Sequence, residues 1–320
     1  MPAAPNLTRV LRWLGGGIAI VSLYYVGSLI LGHLDAILAL EWRRQAVGAT
    51  VVATIVYACS LAVLAASWAV IAVAAWPDRR QLVIATRIYA RSGIAKYLPG
   101  NVFHLLGRQL IGGPLGVSQG RLAVATAAEI ALSVLSVGLI AAAVFTALPG
   151  PISRVLSLVA LTLGALAAMA FVSPDLLRRT VPRTAPIFDR VVGDANSAEL
   201  GLALALNLAF FLCLALIAGS VFRALTGPAL PLMQVGAVYL TAWLAGYIVP
   251  GASGGLGVRE AALLVLLDSA AGEPAVLAFA LTMRLQSIGG DLLFFAASYA
   301  LTPLTRAATA KPSKPPTPSP

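Results

Sequence analysis

Two short stretches of this chain gather residue types that an apolar sequence rarely carries without a use for them. The first, Ala95 to Arg108, reads AKYLPGNVFHLLGR, and the second, Tyr247 to Ala261, reads YIVPGASGGLGVREA. Each breaks an apolar run at Pro-Gly and then sets ionisable residues where lipid is expected: His104 and Arg108 after the first break, Arg259 and Glu260 after the second. In hydrocarbon every backbone N–H and C=O needs an internal partner, so broken backbone at membrane depth survives only inside protein or beside a wet cavity. An arginine there offers a planar fork of donors matched to phosphate, and nearby carboxylates can neutralise it or carry a proton. The chemistry these residues point to is recognition of an anionic group. Arg108, Arg259 and Arg284 are its expected contacts, with Glu129 and Glu260 as their counter-charges. Lys96, Tyr97, Pro99, Gly100, Asn101 and His104 around the first break, and Pro250, Gly254, Gly255 and Gly257 around the second, complete the expected substrate-binding set.

Each break also has a plainer reading. The segment from Gln81 to Leu98 spaces Arg87 and Arg91 against Ile88, Ile94 and Leu98 as an amphipathic interfacial helix would. It is either one arm of a re-entrant hairpin with its tip at Pro99-Gly100-Asn101 or a surface helix lying on headgroups. His104 and Arg108, four apart, share one helical face. At the second break PGASGGLG, from Pro250 to Gly257, holds four glycines in eight residues, so its backbone can approach another group closely. Arg259 and Glu260 are either a functional pair or a structural one, with Glu260 favoured by the dipole at the start of the helix it opens.

Gly251-Ala252-Ser253-Gly254-Gly255 matches the G-x-S-x-G pattern of a nucleophile elbow and is similar to the serine motif of rhomboid proteases. A serine nucleophile needs a base to take its proton, and no histidine follows His104. Ser253 reads as a turn residue, and the chain as one that is not an enzyme. The two histidines, His33 and His104, lie far apart, and Cys59 and Cys213 both fall in apolar spans where they are expected to pack in the core. No metal or other cofactor is expected. No G-x-x-x-x-G-K-[ST] loop is present, so direct drive by ATP is not expected.

The elements that must carry these residues follow from composition. The 320 residues are 59% hydrophobic and 11% charged, against about 25% charged in ordinary soluble domains. The pattern predicts an all-α polytopic membrane protein, because a charge-free run of roughly 18 or more residues can cross a bilayer as a helix. Leu14–Leu31, Ala46–Trp76, Val155–Val172 and Leu200–Val221 carry no charge, Leu122–Ala147 carries only Glu129, and Leu232–Val249 ends at Pro250. A short run, Ala261–Leu267, and a long one, Pro274–Leu301 with Arg284 and Asp291, complete about eight crossings, two of them bordering Pro-Gly-broken segments. Loops rich in Lys and Arg stay cytoplasmic. Arg9, Arg12, Arg79, Arg80, Arg178, Arg179, Arg183 and Lys311 would then lie inside, with only Arg43, Arg44, Arg154 and Arg223 opposite. Both termini are expected in the cytoplasm, with residues 1–305 as one transmembrane domain and 306–320 as a disordered Pro-rich tail. The run after Arg9 and Arg12 reads as a retained first helix, longer than a signal core. The net charge of +10 fits basic loops facing anionic headgroups and does not argue for nucleic acid.

Taken together, Lys96-Tyr97-Leu98-Pro99-Gly100-Asn101-Val102 with Gly107-Arg108, Glu129, Pro250 followed by Gly254-Gly255-Leu256-Gly257-Val258-Arg259-Glu260-Ala261, and Arg284 resemble the transmembrane module of the lysylphosphatidylglycerol synthase family, a broad group of flippase-like proteins. The resemblance covers most of the chain. It implies a multi-spanning protein of the bacterial inner membrane that moves a lipid between leaflets, in pathways of phospholipid, glycolipid, polyprenyl-linked or hopanoid chemistry. Phe103 stands where the family often has Trp, and Ile130 follows Glu129 where an Arg is common. Only the short tail follows the last helix, in place of the synthase's aminoacyl-transferase domain, so the resemblance implies no aminoacyl transfer. The expected partner is a membrane lipid, with a lipid-synthesis enzyme as a further one. The alternatives are a non-transporting scaffold of such a pathway and, further off, an intramembrane serine hydrolase. A pair of similar breaks, Tyr97-Leu98-Pro99-Gly100 and Tyr247-Ile248-Val249-Pro250-Gly251, suggests an internal repeat about a central site.

Overall fold

A computed structural model of the protein describes residues 44–97, 103–146, 154, 155, 157–159, 162, 197–228, 230–248 and 257–300. Among these every regular element is helical. In chain order they are α1 (Arg44–Val73), α2 (Arg79–Gly93) with a 3-10 turn (Ile94–Tyr97), α3 (Phe103–Ile111), α4 (Gln119–Phe145), α5 (Ser197–Thr226), α6 (Leu232–Ile248), α7 (Val258–Ala271) and α8 (Glu273–Ala300). Four helices are long and apolar enough to cross a membrane, over Gln45–Val73, Gln119–Phe145, Ala198–Thr226 and Glu273–Ala300. At 17 residues α6 is apolar but shorter.

Helix limits follow local chemistry. Pro77 ends the run expected to reach Trp76. The α1 helix stops at Val73, Ala74 takes a φ of 50°, and Trp76 stands 64% exposed. The next helix starts with a capping box: Asp78 Oδ1 accepts the Gln81 N–H at 2.7 Å and Gln81 Oε1 accepts the Asp78 N–H at 2.9 Å. Ser118 Oγ accepts from the Arg121 N–H at 3.2 Å to open α4. A single residue, Gly272, with a φ of 79°, turns the chain from α7 into α8. The expected spans Leu14–Leu31 and most of Val155–Val172, the tip Pro99-Gly100-Asn101, the tail 306–320 and the segment Val249–Leu256 lie outside the described residues.

The most extensive contacts join α1 to α5, with α8, α2 and α4 also against α1, and α6 against α4, α5 and α7. Small residues set these distances. A Cβ built on Gly290 of α8 falls 2.4 Å from Tyr57 Cδ1 and 3.1 Å from the Thr54 carbonyl oxygen, so only glycine lets α8 lie this close to α1. Polar side chains add directional ties: Ser67 Oγ donates to the Ala203 carbonyl at 2.9 Å, and Trp68 Nε1 donates to Thr126 Oγ1 at 3.4 Å. Both faces of these helices are apolar, but they differ. Tyr57, Leu61, Leu64 and Trp68 of α1 are buried, while Val47, Val51 and Ile55 stand outward. Cys59 is exposed and Cys213 half-buried, so the cysteines are not the core residues that their apolar runs suggested; both are free thiols. An outward apolar face is available to Cys59 because lipid, like a core, accepts a thiol.

The α3 helix is turned inside out relative to a soluble amphipathic helix. It buries His104 and Arg108 and exposes Leu106 and Leu110 at 54% and 50%. That arrangement suits an element with lipid outside and a polar cavity within.

Candidate functional site

The buried charges of α3 meet at a cavity. The space between its lining side chains, counted out to its open mouth, is about 1220 Å³. Described residues on either side of both breaks line it. Tyr97, just before the first, and Tyr247, just before the second, both line it, as do His104 and Arg108 after the first and Arg259 after the second. Residues that precede and follow the two Pro-Gly interruptions are far apart in the chain and yet line one cavity.

Three ion pairs tie this site together, each across different helices. Arg108 of α3 donates through Nη1 to Glu129 of α4, and the Tyr89 hydroxyl of α2 donates to the other carboxylate oxygen. The Arg108 guanidinium also lies 4.0 Å from the centre of the Tyr89 ring, a cation–π contact within the same group. Arg284 of α8 reaches Glu260 of α7 through Nη2 and, at 3.1 Å, through Nε. Lys96, in the 3-10 turn, lies 2.6 Å from Asp291 of α8, which also accepts from the Tyr97 hydroxyl. Lys96 Nζ further donates to the Tyr57 hydroxyl at 3.4 Å. Charges in low dielectric require such partners, since an unpaired buried ion is costly.

The expected residues thus divide. Lys96, Tyr97, His104, Arg108, Glu129, Arg259 and Arg284 line the cavity. Glu260 pairs with the lining Arg284, and its second oxygen accepts the Gly257 N–H at 2.8 Å, which closes the first turn of α7. Gly257 sits at a φ of 78°, the left-handed region, with open space where a Cβ would point; the backbone angle, not crowding, demands glycine there. Pro99, Gly100, Asn101, Pro250, Gly254 and Gly255 lie outside the described residues.

Arg259 stands apart. It is 7% exposed, and among the described residues no carboxylate pairs with it. Its Nη1 donates to the Tyr239 hydroxyl at 3.2 Å, and its guanidinium stands 5.7 Å from the Tyr239 ring centre. Among the described residues, His104 Nδ1 and Arg108 Nε are also buried in the cavity wall without a hydrogen-bond partner.

Asp291 was expected only as a partner for an arginine, not in the binding set, and of the aromatic lining only Tyr97 was expected there. Asp291 follows Arg284 by seven residues, and with Ser287 the three share one face of α8 and line the cavity together. That i, i+3, i+7 spacing was the available signal. Five of the chain's eight tyrosines, Tyr57, Tyr89, Tyr97, Tyr239 and Tyr247, line the same space, with Trp243 stacked on Tyr247 at 4.9 Å between ring centres. Among the described residues no group of three or more His, Cys, Asp or Glu side chains could hold a metal. The arrangement can bind and shield a polar, anionic group inside an apolar bundle. No family model matches this chain, and no curated protein is significantly similar to it.

Proposed function

We propose that this protein moves the polar headgroup of a membrane lipid between leaflets, the headgroup passing through the cavity while the acyl chains stay in the membrane. The observation that carries the reading is a cavity walled by buried charges and tyrosine hydroxyls within helices whose outer faces are apolar. A headgroup cannot cross hydrocarbon unaided, and a groove that replaces its water with fixed donors and acceptors lowers that barrier. The two breaks at the cavity support a central site of the transporter kind, in which discontinuous helices present their ends to the substrate. The nine residues of α3 suit a re-entrant segment, since a full crossing takes about 20 residues. In this reading the chain makes eight crossings with re-entrant segments at the breaks, both termini face the cytoplasm, and the membrane is the bacterial inner one. The resemblance to the lysylphosphatidylglycerol synthase transmembrane module, carried by both broken motifs, supports the same reading.

The test is reconstitution. Vesicles containing the purified protein and a trace of lipid fluorescent at its headgroup should expose that label to an external quencher faster than protein-free vesicles, for at least one anionic, glycosylated or polyprenyl-linked headgroup. Equal rates across all of them would leave a non-transporting scaffold as the reading.

A further inference from the structure

Among the described residues the cavity holds one more positive than negative side chain. Lys96, Arg108, Arg259 and Arg284 stand against Glu129 and Asp291 on its wall and Glu260 behind Arg284. Three of the cations are consumed in ion pairs, and His104 cannot serve as a counter-anion in either protonation state. The two breaks, residues 98–102 and 249–256, contain no acidic side chain. Among the described residues the surplus charge falls on Arg259, a buried guanidinium of which Nη1 is engaged by Tyr239 while Nη2 and Nε make no hydrogen bond to a described residue.

We propose that Arg259 is the anion contact of the site and that the cavity takes a lipid phosphodiester carrying one negative charge. The inference rests on the headgroup reading above and narrows it to a substrate class. Two adjacent guanidinium donors match two non-bridging phosphate oxygens in a bidentate pair. A phosphodiester keeps its single charge across the physiological range, so its arrival neutralises the cavity without breaking any of the three ion pairs. A zwitterionic headgroup would leave the surplus charge standing, and a headgroup with an added phosphomonoester would overshoot it. Tyr57, Tyr239 and Tyr247 offer hydroxyls and ring faces to the polar group beyond the phosphate. Arg108 and Arg284 hold the walls and do not contact the phosphate.

Native mass spectrometry of the full chain, delipidated and then supplied with lipids of identical acyl chains, tests this. Phosphatidylglycerol should be retained about tenfold over phosphatidylcholine, the scale of one charge-assisted hydrogen bond, and also above phosphatidylinositol 4-phosphate. Arg259→Gln should abolish the preference at an unchanged melting temperature, and Arg259→Lys should restore part of it. Retention of the preference in Arg259→Gln, or none in the wild type, overturns the proposal. Water-soluble glycerophosphoglycerol should displace little of the bound lipid, because it lacks the acyl chains; displacement at equal concentration would assign the site to a soluble phosphodiester and overturn the lipid class. Gly93→Phe separates the two levels of the argument. Gly93 lines the cavity and has open space at its Cβ, so a ring there narrows the chamber. If this variant still retains phosphatidylglycerol with the wild-type preference, the cavity is not the headgroup site. If it loses the lipid while Arg259→Gln keeps it, only the assignment to Arg259 fails.

Discussion

The two breaks place an arginine at the same cavity and treat it in opposite ways. After the first, Arg108 is enclosed: Glu129 takes its Nη1, Tyr89 stacks on it, and the Tyr89 hydroxyl completes the carboxylate. After the second, the neighbouring carboxylate Glu260 turns away to Arg284 and to the Gly257 N–H, and Arg259 is left with a tyrosine hydroxyl. The first arrangement fastens α2, α3 and α4 to one another. The second fastens α7 to α8 with the acid and, among the described residues, leaves the base without a carboxylate. An arginine in an apolar chain is thus not one kind of signal, and the partner on another helix decides whether it is a tie or a contact.

The largest expected effect breaks the tie. Arg108→Ala should destabilise the purified protein by about 3–5 kcal/mol, because Glu129 is then left buried and unpaired. The double replacement Arg108→Met with Glu129→Leu should recover most of that loss, and thermal unfolding in detergent measures both. A double variant as unstable as the single one would show that the pair does more than satisfy its own charges. Next in size, Gly257→Val should cost roughly 1–3 kcal/mol, since a β-branched residue is strained at a φ of 78°. It should also abolish lipid movement while the protein still reaches the membrane. Gly48→Ala, in open space on α1, is the matched control and should be near neutral. The smallest effect sharpens the contrast. Arg259→Gln should change stability by less than about 1 kcal/mol, because the lost Tyr239 contacts are offset by removal of an unpaired buried charge. A loss as large as that of Arg108→Ala would make the two arginines equivalent and remove the distinction.

The helices themselves were readable from long apolar runs with few charges. Leu122–Ala147, Leu200–Val221, Leu232–Val249 and Pro274–Leu301 each fall on an observed helix within a few residues, because the need to satisfy backbone groups in lipid leaves a long apolar run little choice. Pro-Gly followed by ionisable residues pointed to His104, Arg108 and Arg259, which line one cavity. The pairing of charges was not legible. Arg108 and Glu129 lie 21 residues apart, Lys96 and Asp291 far more, and nothing in a linear pattern says which helix faces which. Tyr57, Tyr89 and Tyr239 were invisible for a related reason: a tyrosine in an apolar helix is ordinary until the fold brings five around one cavity. The inward turn of α3 was half readable, from His104 and Arg108 on one face, but that face leads inward only because α4 supplies Glu129 there.

The central claim, that the cavity lined by Tyr97, Arg108, Tyr247 and Arg259 is the path of a lipid headgroup, is tested most directly by obstructing it. Gly93→Phe places a ring in the chamber without meeting any atom within 4 Å at its Cβ. Vesicles with this variant, matched to wild type in protein content and melting temperature, should move fluorescent-headgroup lipid no faster than protein-free vesicles. Movement at the wild-type rate through the narrowed cavity would contradict the account.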